Sequence, residues 1–195
     1  QMCIRDRVGV CDVTTLGKVD VQGKDAASFL NLIYCNGFAK LAIGKTRYGL
    51  MLREDGIALD DGTAARLDEN HFVVTTTTAN AVSVYRHMEF VRQCLYPKMD
   101  VQLISTTEAW AQFAVAGPNS RSVLRKIVDK EYDISNEGFP FMACGQITVC
   151  GGLRARLFRI SFSGELAYEL AVPTRYGDSL ICLLYTSPSP RDRSS

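Results

Sequence analysis

The chain has 195 residues, 47% of them hydrophobic, and its 22 basic and 21 acidic side chains give a formal net charge of +1. This length and apolar content are sufficient for a buried core in one domain or two small ones. A charge so close to zero lacks the basic footprint of proteins that bind nucleic acids or anionic membranes, so we expect neither as a partner.

The first half of the chain predicts strands that alternate with helices. Residues 16–21 form a strand, and the next segment is a helix with Asp25 near its N-cap and an apolar stripe at helical spacing. The stripe consists of Ala26, Phe29, Leu30 and Ile33. Three strands follow, because turn residues separate three alternating runs. These runs are 46–52, 57–67 and 71–77.

A second helix is predicted after these strands, capped by Thr78 and ended by Pro97. Its apolar residues recur at spacings of three and four, which is typical of a helix with one buried face. They are Ala81, Val84, Met88, Val91 and Leu95. A strand at 101–105 then completes a β-α-β-β-β-α-β order, which indicates helices packed on one face of a sheet that is at least partly antiparallel.

The second half predicts a related unit. A strand at 110–116 leads through Gly117-Pro118-Asn119 into a helix at 120–128, and a strand at 165–172 comes last. Strands at 145–150 and 153–161 flank Gly151-Gly152, which is a strong signal for a two-residue hairpin. The predicted fold class is therefore α+β, with two packed subdomains of antiparallel or mixed sheet and helices on one face.

Several further features limit the class of protein. No apolar run reaches the ~18 residues of a spanning helix and no leader is visible, so we expect a soluble, cytoplasmic protein without a membrane partner. The seven cysteines form no Cys-x-x-Cys pair, so we predict no metal site. Residues 1–7 and 184–195 lack the periodicity of the remainder. We expect both to be non-native or disordered, with a genuine flexible linker as the alternative for the second.

Five segments occur in the order seen in a known family. They are 12–18, 23–30, 48–61, 115–118 and 164–170. With these segments the chain resembles the folate-binding aminomethyltransferases, a family that includes the T-protein of the glycine cleavage system. Residues 47–56 and 75–80 look more specifically like the C-terminal part of sarcosine oxidase alpha subunits. The resemblance implies a folate-binding aminomethyltransferase-like domain over residues 8–183.

Asp60 and Asp61 form an acid pair at the end of an apolar run. A glycine turn delivers the two adjacent carboxylates, so one can face a pocket while the other faces water. In the family, a carboxylate stabilises the cationic carbon–nitrogen centre that N5 of tetrahydrofolate attacks. The resemblance gives this catalytic role to Asp61, and Asp60 is the weaker candidate. The alternative is a solvated surface turn.

Other residues are candidates for substrate binding. A pterin offers two parallel donors that a carboxylate can accept, and a flat face that aromatic rings can cover. The resemblance implies that Glu169 accepts the donors and that Tyr48 and Phe162 line the pocket. Side chains at a strand-to-helix junction can add polar donors; these are Thr76, Thr77 and Asn80. The alternatives are a solvent-facing glutamate, core aromatics and helix-capping residues.

The resemblance also implies a reaction. The full enzyme would oxidise sarcosine at a flavin, and this region would transfer the one-carbon unit to tetrahydrofolate to give 5,10-methylenetetrahydrofolate. We expect tetrahydrofolate and other sarcosine oxidase subunits as partners. Flavin and NAD are expected only elsewhere in the assembly, because the chain has no Gly-x-Gly-x-x-Gly fingerprint.

Two alternatives remain. One is a T-protein or a dimethylglycine dehydrogenase-like aminomethyltransferase, which would act on a different amine donor. The other is a non-catalytic folate-binding accessory protein of iron–sulfur assembly. The cysteines of this chain lie in no Lys-Gly-Cys-x-x-Gly-Gln-like motif, which is typical of those accessory proteins.

Overall fold

The computed structural model describes residues 7–186, which form two compact units. Residues 15–108, here called the inserted unit, are continuous in sequence, whereas the split unit combines the residues up to Thr14 with those from Ala109 onward. The strands of the described residues are β1 (Gly9–Asp12), β2 (Gly17–Gln22), β3 (Lys45–Leu52), β4 (Ala58–Asp68), β5 (His71–Thr76), β6 (Gln102–Ser105), β7 (Trp110–Ala116), β8 (Cys144–Val149), β9 (Leu153–Phe158) and β10 (Ala167–Pro173). Their α-helices are α1 (Ala26–Ile33), α2 (Ala81–Phe90), α3 (Ser120–Leu124) and α4 (Gly177–Thr186).

The inserted unit is an antiparallel sheet with strand order β3-β4-β5-β2-β6. Its core contains Val19 and Val21 from β2, together with the predicted stripe of α1. Two glycines near the acid pair occupy positions that a larger residue would fill only with strain. Gly56 turns the β3–β4 hairpin with φ 81°, and a Cβ on Gly62 would lie 1.9 Å from the Thr75 carbonyl oxygen. The predicted β-α-β-β-β-α-β order is confirmed.

The helix α2 differs from its prediction at both ends. Its N-cap residue is Asn80, and the hydroxyl of Thr78 instead lies 3.1 Å from that of Thr15. The capping role predicted for Thr78 was therefore wrong. At the other end a π turn at Val91–Leu95 replaces the last α-helical turn. Because a π turn changes the angular spacing, Leu95 leaves the buried face and is 56% exposed.

The split unit is a second antiparallel sheet, with strand order β1-β7-β10-β9-β8. The β8–β9 hairpin turns at Gly151 and Gly152, which have φ 82° and 113°, as predicted. Its loop has three residues rather than two, because Val149 pairs with Leu153 and Cys150 joins the turn. The predicted helix at 120–128 was too long, because α3 ends at Leu124. Val128 forms a β-bridge with Val149 instead, so this segment joins the hairpin rather than continuing the helix.

Two elements of the split unit were not predicted from the sequence. The strand β1 pairs with β7, with Gly9 opposite Ala116. The helix α4 buries Leu180 and Leu184. The tail expected to begin at residue 184 was therefore placed too early, because the Leu184 side chain packs into the core. Residues 187–195 and 1–6 lie outside the described residues, so a non-native origin for them stays a prediction.

The described residues contain neither a membrane-spanning helix nor a metal-binding cluster. No helix within residues 7–186 has both the length and the apolar content needed to span a membrane. The same residues contain no group of three or more His, Cys, Asp or Glu side chains placed to hold a metal ion.

Candidate functional site

The acid pair lies in β4, where the two aspartates face opposite sides of the sheet. Asp60 is opposite Met51 and Asp61 is opposite Leu50 in the register with β3. Asp60 is 6% exposed, whereas Asp61 is exposed. The two carboxylates therefore have different surroundings, as expected, and the cause in the structure is the alternation of side chains along the strand.

Asp60 is held by donors from the junction between β5 and α2. Its carboxylate accepts from the Thr77 backbone N–H at 3.1 Å, the Thr77 hydroxyl at 2.6 Å and the Asn80 side-chain amide at 3.1 Å. Asn80 also donates to the Leu59 carbonyl at 3.0 Å. These donors were expected to serve a ligand. In the structure Thr77 and Asn80 direct these donors to a carboxylate of the chain itself, and a contact of either residue with a ligand stays a prediction.

Thr76 has a similarly internal position. Its side chain is 3% exposed, and its hydroxyl donates to the Thr77 carbonyl at 2.9 Å. Direct ligand binding by Thr76 therefore finds no support in the geometry. Only Thr77 and Asn80 connect this junction to β4, through their hydrogen bonds to Asp60.

Asp61 forms an exposed pair with Tyr48. The Tyr48 hydroxyl donates to the Asp61 carboxylate at 2.7 Å, and the tyrosine side chain is 52% exposed. The same hydrogen bond raises the pKa of the Tyr48 hydroxyl above its ordinary value. The phenol therefore stays protonated and fixes one side of the carboxylate. An oriented, solvent-accessible carboxylate is suited to stabilising a cationic ligand.

Glu169 lies on β10 in the split unit, between Ala114 of β7 and Phe158 of β9. Its neighbour Tyr168 is buried in the core, so alternation turns Glu169 to the opposite face. The side-chain amide of Gln112 donates to its carboxylate. The glutamate is therefore half-buried and oriented rather than a freely solvated strand residue.

The face that carries Glu169 contains polar residues that the sequence analysis missed. Gln112 is 1% exposed and Arg156 is 7% exposed, and both are register partners of Ala171 on β10. The Arg156 guanidinium lies 4.2 Å from the centre of the Trp110 ring. Gln112 could have been recognised from the sequence, because it is the polar residue within the apolar run 110–116.

Phe162 lies in the loop between β9 and β10. It is fully exposed, with a relative accessibility of 107%. This excludes the alternative of a core aromatic, and the 52% exposure of Tyr48 excludes it there as well. Whether the two aromatics line a folate pocket stays a prediction.

Known proteins support the family assignment. The profile of the GCVT N-terminal domain family matches residues 1–192. Sarcosine oxidase subunit alpha of Rhizobium meliloti (strain 1021) is 58% identical over 178 residues, which are 91% of this chain. Those residues are 18% of that protein, so the chain spans less than a fifth of its length.

Two solved structures share the fold. Aminomethyltransferase T of the glycine cleavage system from Bartonella henselae has a TM-score of 0.81 at 24% identity, over 95% of this chain and 47% of that chain. Heterotetrameric sarcosine oxidase from Corynebacterium sp. U-96, in complex with pyrrole 2-carboxylate, has a TM-score of 0.68 at 13% identity, over 91% and 81% of the two chains.

These findings confirm the resemblance drawn from the sequence motifs. The profile covers nearly the whole sequence, the alpha-subunit relative aligns over most of it, and the α+β fold agrees with that of aminomethyltransferase T. The chain therefore belongs to the GCVT N-terminal domain family.

Proposed function

We propose that this chain is the tetrahydrofolate-binding region of a sarcosine oxidase alpha subunit and works in an assembly with other subunits. In this role it transfers the one-carbon unit of oxidised sarcosine to tetrahydrofolate, giving 5,10-methylenetetrahydrofolate. The identity to the Rhizobium meliloti subunit supports the assignment. The observation that carries the mechanism is the separation of the acid pair, with Asp60 bound internally and Asp61 exposed beside Tyr48.

The proposed chemistry requires stabilisation of a cation. Two-electron oxidation of sarcosine by the flavin expected elsewhere in the assembly would give an iminium whose carbon is the electrophile. Bound tetrahydrofolate would supply both nitrogens that hold this carbon in the product, and the bond from the carbon to the glycine nitrogen would break. Asp61 stabilises the positive charge of the carbon–nitrogen centre and accepts or returns a proton as the amine leaves as glycine. Tyr48 keeps the carboxylate in one orientation, so that little reorganisation is needed. No covalent bond to the protein is formed.

Glu169 is proposed to recognise the pterin. Its carboxylate has two oxygens, and the hydrogen bond from Gln112 fixes the orientation in which they meet parallel donors. Phe162 offers an exposed aromatic face for the flat ring. Thr77 and Asn80 act indirectly, since their hydrogen bonds to Asp60 position the strand that carries Asp61.

Asp61→Asn in the assembled enzyme tests the proposal. Loss of one well-placed electrostatic group is expected to reduce methylenetetrahydrofolate formation on the order of 10²-fold. Sarcosine oxidation should continue, and formaldehyde should accumulate because the released iminium hydrolyses in water. Asp60→Asn should reduce the rate per folded molecule much less.

Asp55→Asn is the matched control, since Asp55 is an exposed acid in the β3–β4 turn that pairs with Arg53. It should leave product formation unchanged. Equal and minor effects of Asp61→Asn and Asp55→Asn would show that Asp61 is an ordinary surface residue without a catalytic role.

A second candidate function is a glycine-cleavage type of aminomethyltransferase. It is favoured by the high structural similarity to aminomethyltransferase T from Bartonella henselae. The two functions differ in the amine donor. Supplying the enzyme with sarcosine, or with an aminomethylated carrier protein, and measuring methylenetetrahydrofolate would distinguish them.

A further inference from the structure

The split unit contains a cavity of about 290 Å³ that is lined by none of the residues proposed to act on folate. Its wall is formed by the segment that leads from β9 to β10 and by the chain just before β8. The side chains that matter here are Phe141, Arg159, Ser161, Glu165 and Leu166. The wall therefore combines one cation, one hydroxyl, one carboxylate and two apolar groups.

Two buried polar atoms belong to this wall. Within residues 7–186, the Arg159 Nε and the Ser161 Oγ are both inaccessible to solvent and have no hydrogen-bond partner. Buried donors without a partner are uncommon in folded proteins and require an explanation. Both atoms belong to residues that line the same cavity, so a small rotation of each side chain towards an acceptor bound there would give both atoms a partner.

The guanidinium of Arg159 is fixed by neutral groups. Its Nη1 donates to the Phe139 carbonyl at 2.7 Å and its Nη2 donates to the Asn136 side-chain oxygen at 2.8 Å. The same Asn136 oxygen accepts from Arg121. Two guanidinium groups thus share one neutral acceptor, and no carboxylate of the described residues forms an ion pair with Arg159. An anionic group in the cavity would compensate this charge.

The backbone next to the cavity is strained. Met142 has φ 62°, a left-handed conformation that is uncommon for a residue other than glycine. It is held there by backbone hydrogen bonds, from Met142 N–H to the Arg159 carbonyl at 2.9 Å and from Arg159 N–H to the Ala143 carbonyl at 2.8 Å. The preceding residue, Phe141, is 64% exposed on the cavity wall. Strain of this kind is often found at ligand sites.

We propose that this cavity binds a small α-amino acid in its zwitterionic form. The carboxylate accepts hydrogen bonds from Arg159 Nε and Ser161 Oγ, and the ammonium group pairs with the Glu165 carboxylate. Phe141 and Leu166 cover the apolar side chain. Phe162 of the same loop is proposed to cover the pterin, but it does not line this cavity, and the amino-acid proposal does not depend on the folate site.

The test is a titration of the 195-residue chain with L-valine, followed by the amide resonances of residues 141–142 and 159–167. Saturable shifts confined to these residues are expected. Ser161→Ala should raise the Kd about tenfold, because a hydrogen bond to a charged group is lost. Ser163→Ala, on the exposed part of the same loop, should leave the Kd unchanged. The proposal is overturned if no saturable shift occurs, or if the two serine variants bind alike.

Further measurements separate the two ends of the ligand. Acetate and methylamine should each bind more weakly than L-valine, since each lacks one charged group. Glu165→Gln should weaken the binding of L-valine and leave the binding of acetate unchanged. It also provides a second variant if Ser161→Ala does not fold. Equal binding of acetate and L-valine would overturn the amino-acid assignment. Displacement of L-valine by tetrahydrofolate would overturn the separation of this cavity from the folate site.

Discussion

Replacing each acid of the pair by asparagine should affect the free energy of unfolding very differently. In Asp60→Asn the new NH₂ group faces a donor in either orientation, since the Thr77 N–H lies at one carboxylate oxygen and the Asn80 amide lies at the other. A buried donor left unpaired costs about 1–3 kcal/mol, and the remaining bonds weaken by about 1 kcal/mol because the acceptor is no longer charged. We therefore expect a loss of about 2–4 kcal/mol.

The assay is urea unfolding of the 195-residue chain, followed by far-UV circular dichroism. Asp61→Asn is the matched control because Asp61 is exposed and Tyr48 can donate equally to an amide oxygen. Its free energy of unfolding should stay within about 0.5 kcal/mol of the parent, with an unchanged dependence on urea concentration. Equal losses in the two variants, or a larger loss for Asp61→Asn, would refute the assignment of Asp60 as the structural acid.

Three other outcomes are expected. Asp61→Asn should lower the pKa of the Tyr48 hydroxyl towards its ordinary value, measured by ultraviolet titration of tyrosinate. Because the folded-state pKa of Tyr48 is raised, its hydrogen bond to Asp61 stabilises the fold at pH values below the pKa of an unfolded tyrosine. This stabilisation disappears as the pH rises through the folded-state pKa, so the free energies of unfolding of parent and variant should converge in alkali. Tetrahydrofolate should raise the Tm of the chain in a concentration-dependent way, and Glu169→Gln should reduce this shift because an amide cannot accept both pterin donors. Leu184→Ala should lower the free energy of unfolding by about 2–5 kcal/mol in the same urea assay, whereas Leu183→Ala, at a position 39% exposed, should change it far less.

Most of the fold could be predicted because its signals are local. The strand β7 was predicted at its observed bounds, Trp110–Ala116, and all four residues of the α1 stripe are buried. The failures have long-range causes. Val128 leaves a helical pattern because Val149 offers a β-bridge, and the short β1 has too few residues for a periodic signal. Neither partner can be identified from neighbouring residues.

The candidate site shows the same limit. The position of the two acids beside a turn, at the end of an apolar run, was enough to predict that they face different surroundings. It could not assign the donors of Thr77 and Asn80, which are 17 and 20 residues away from Asp60. From the sequence alone, a donor that serves an internal carboxylate is indistinguishable from one that serves a ligand. The antiparallel register that brings the end of β5 beside β4 reveals the internal contact, and binding of a ligand by the same residues stays a prediction.

The pairing of β1 with β7 has a consequence for biosynthesis. The two strands are about 100 residues apart in sequence, and the whole inserted unit is synthesised between them. The inserted unit is continuous, so it can fold on the ribosome while β1 still lacks its partner. When the inserted unit is folded, it connects β1 to β7 through a compact body. When it is unfolded, the connection is a long flexible loop, and pairing of β1 with β7 then costs the entropy of closing that loop. Substitutions that destabilise residues 15–108 should therefore slow the folding of the split unit, even where no side chain of that unit has changed.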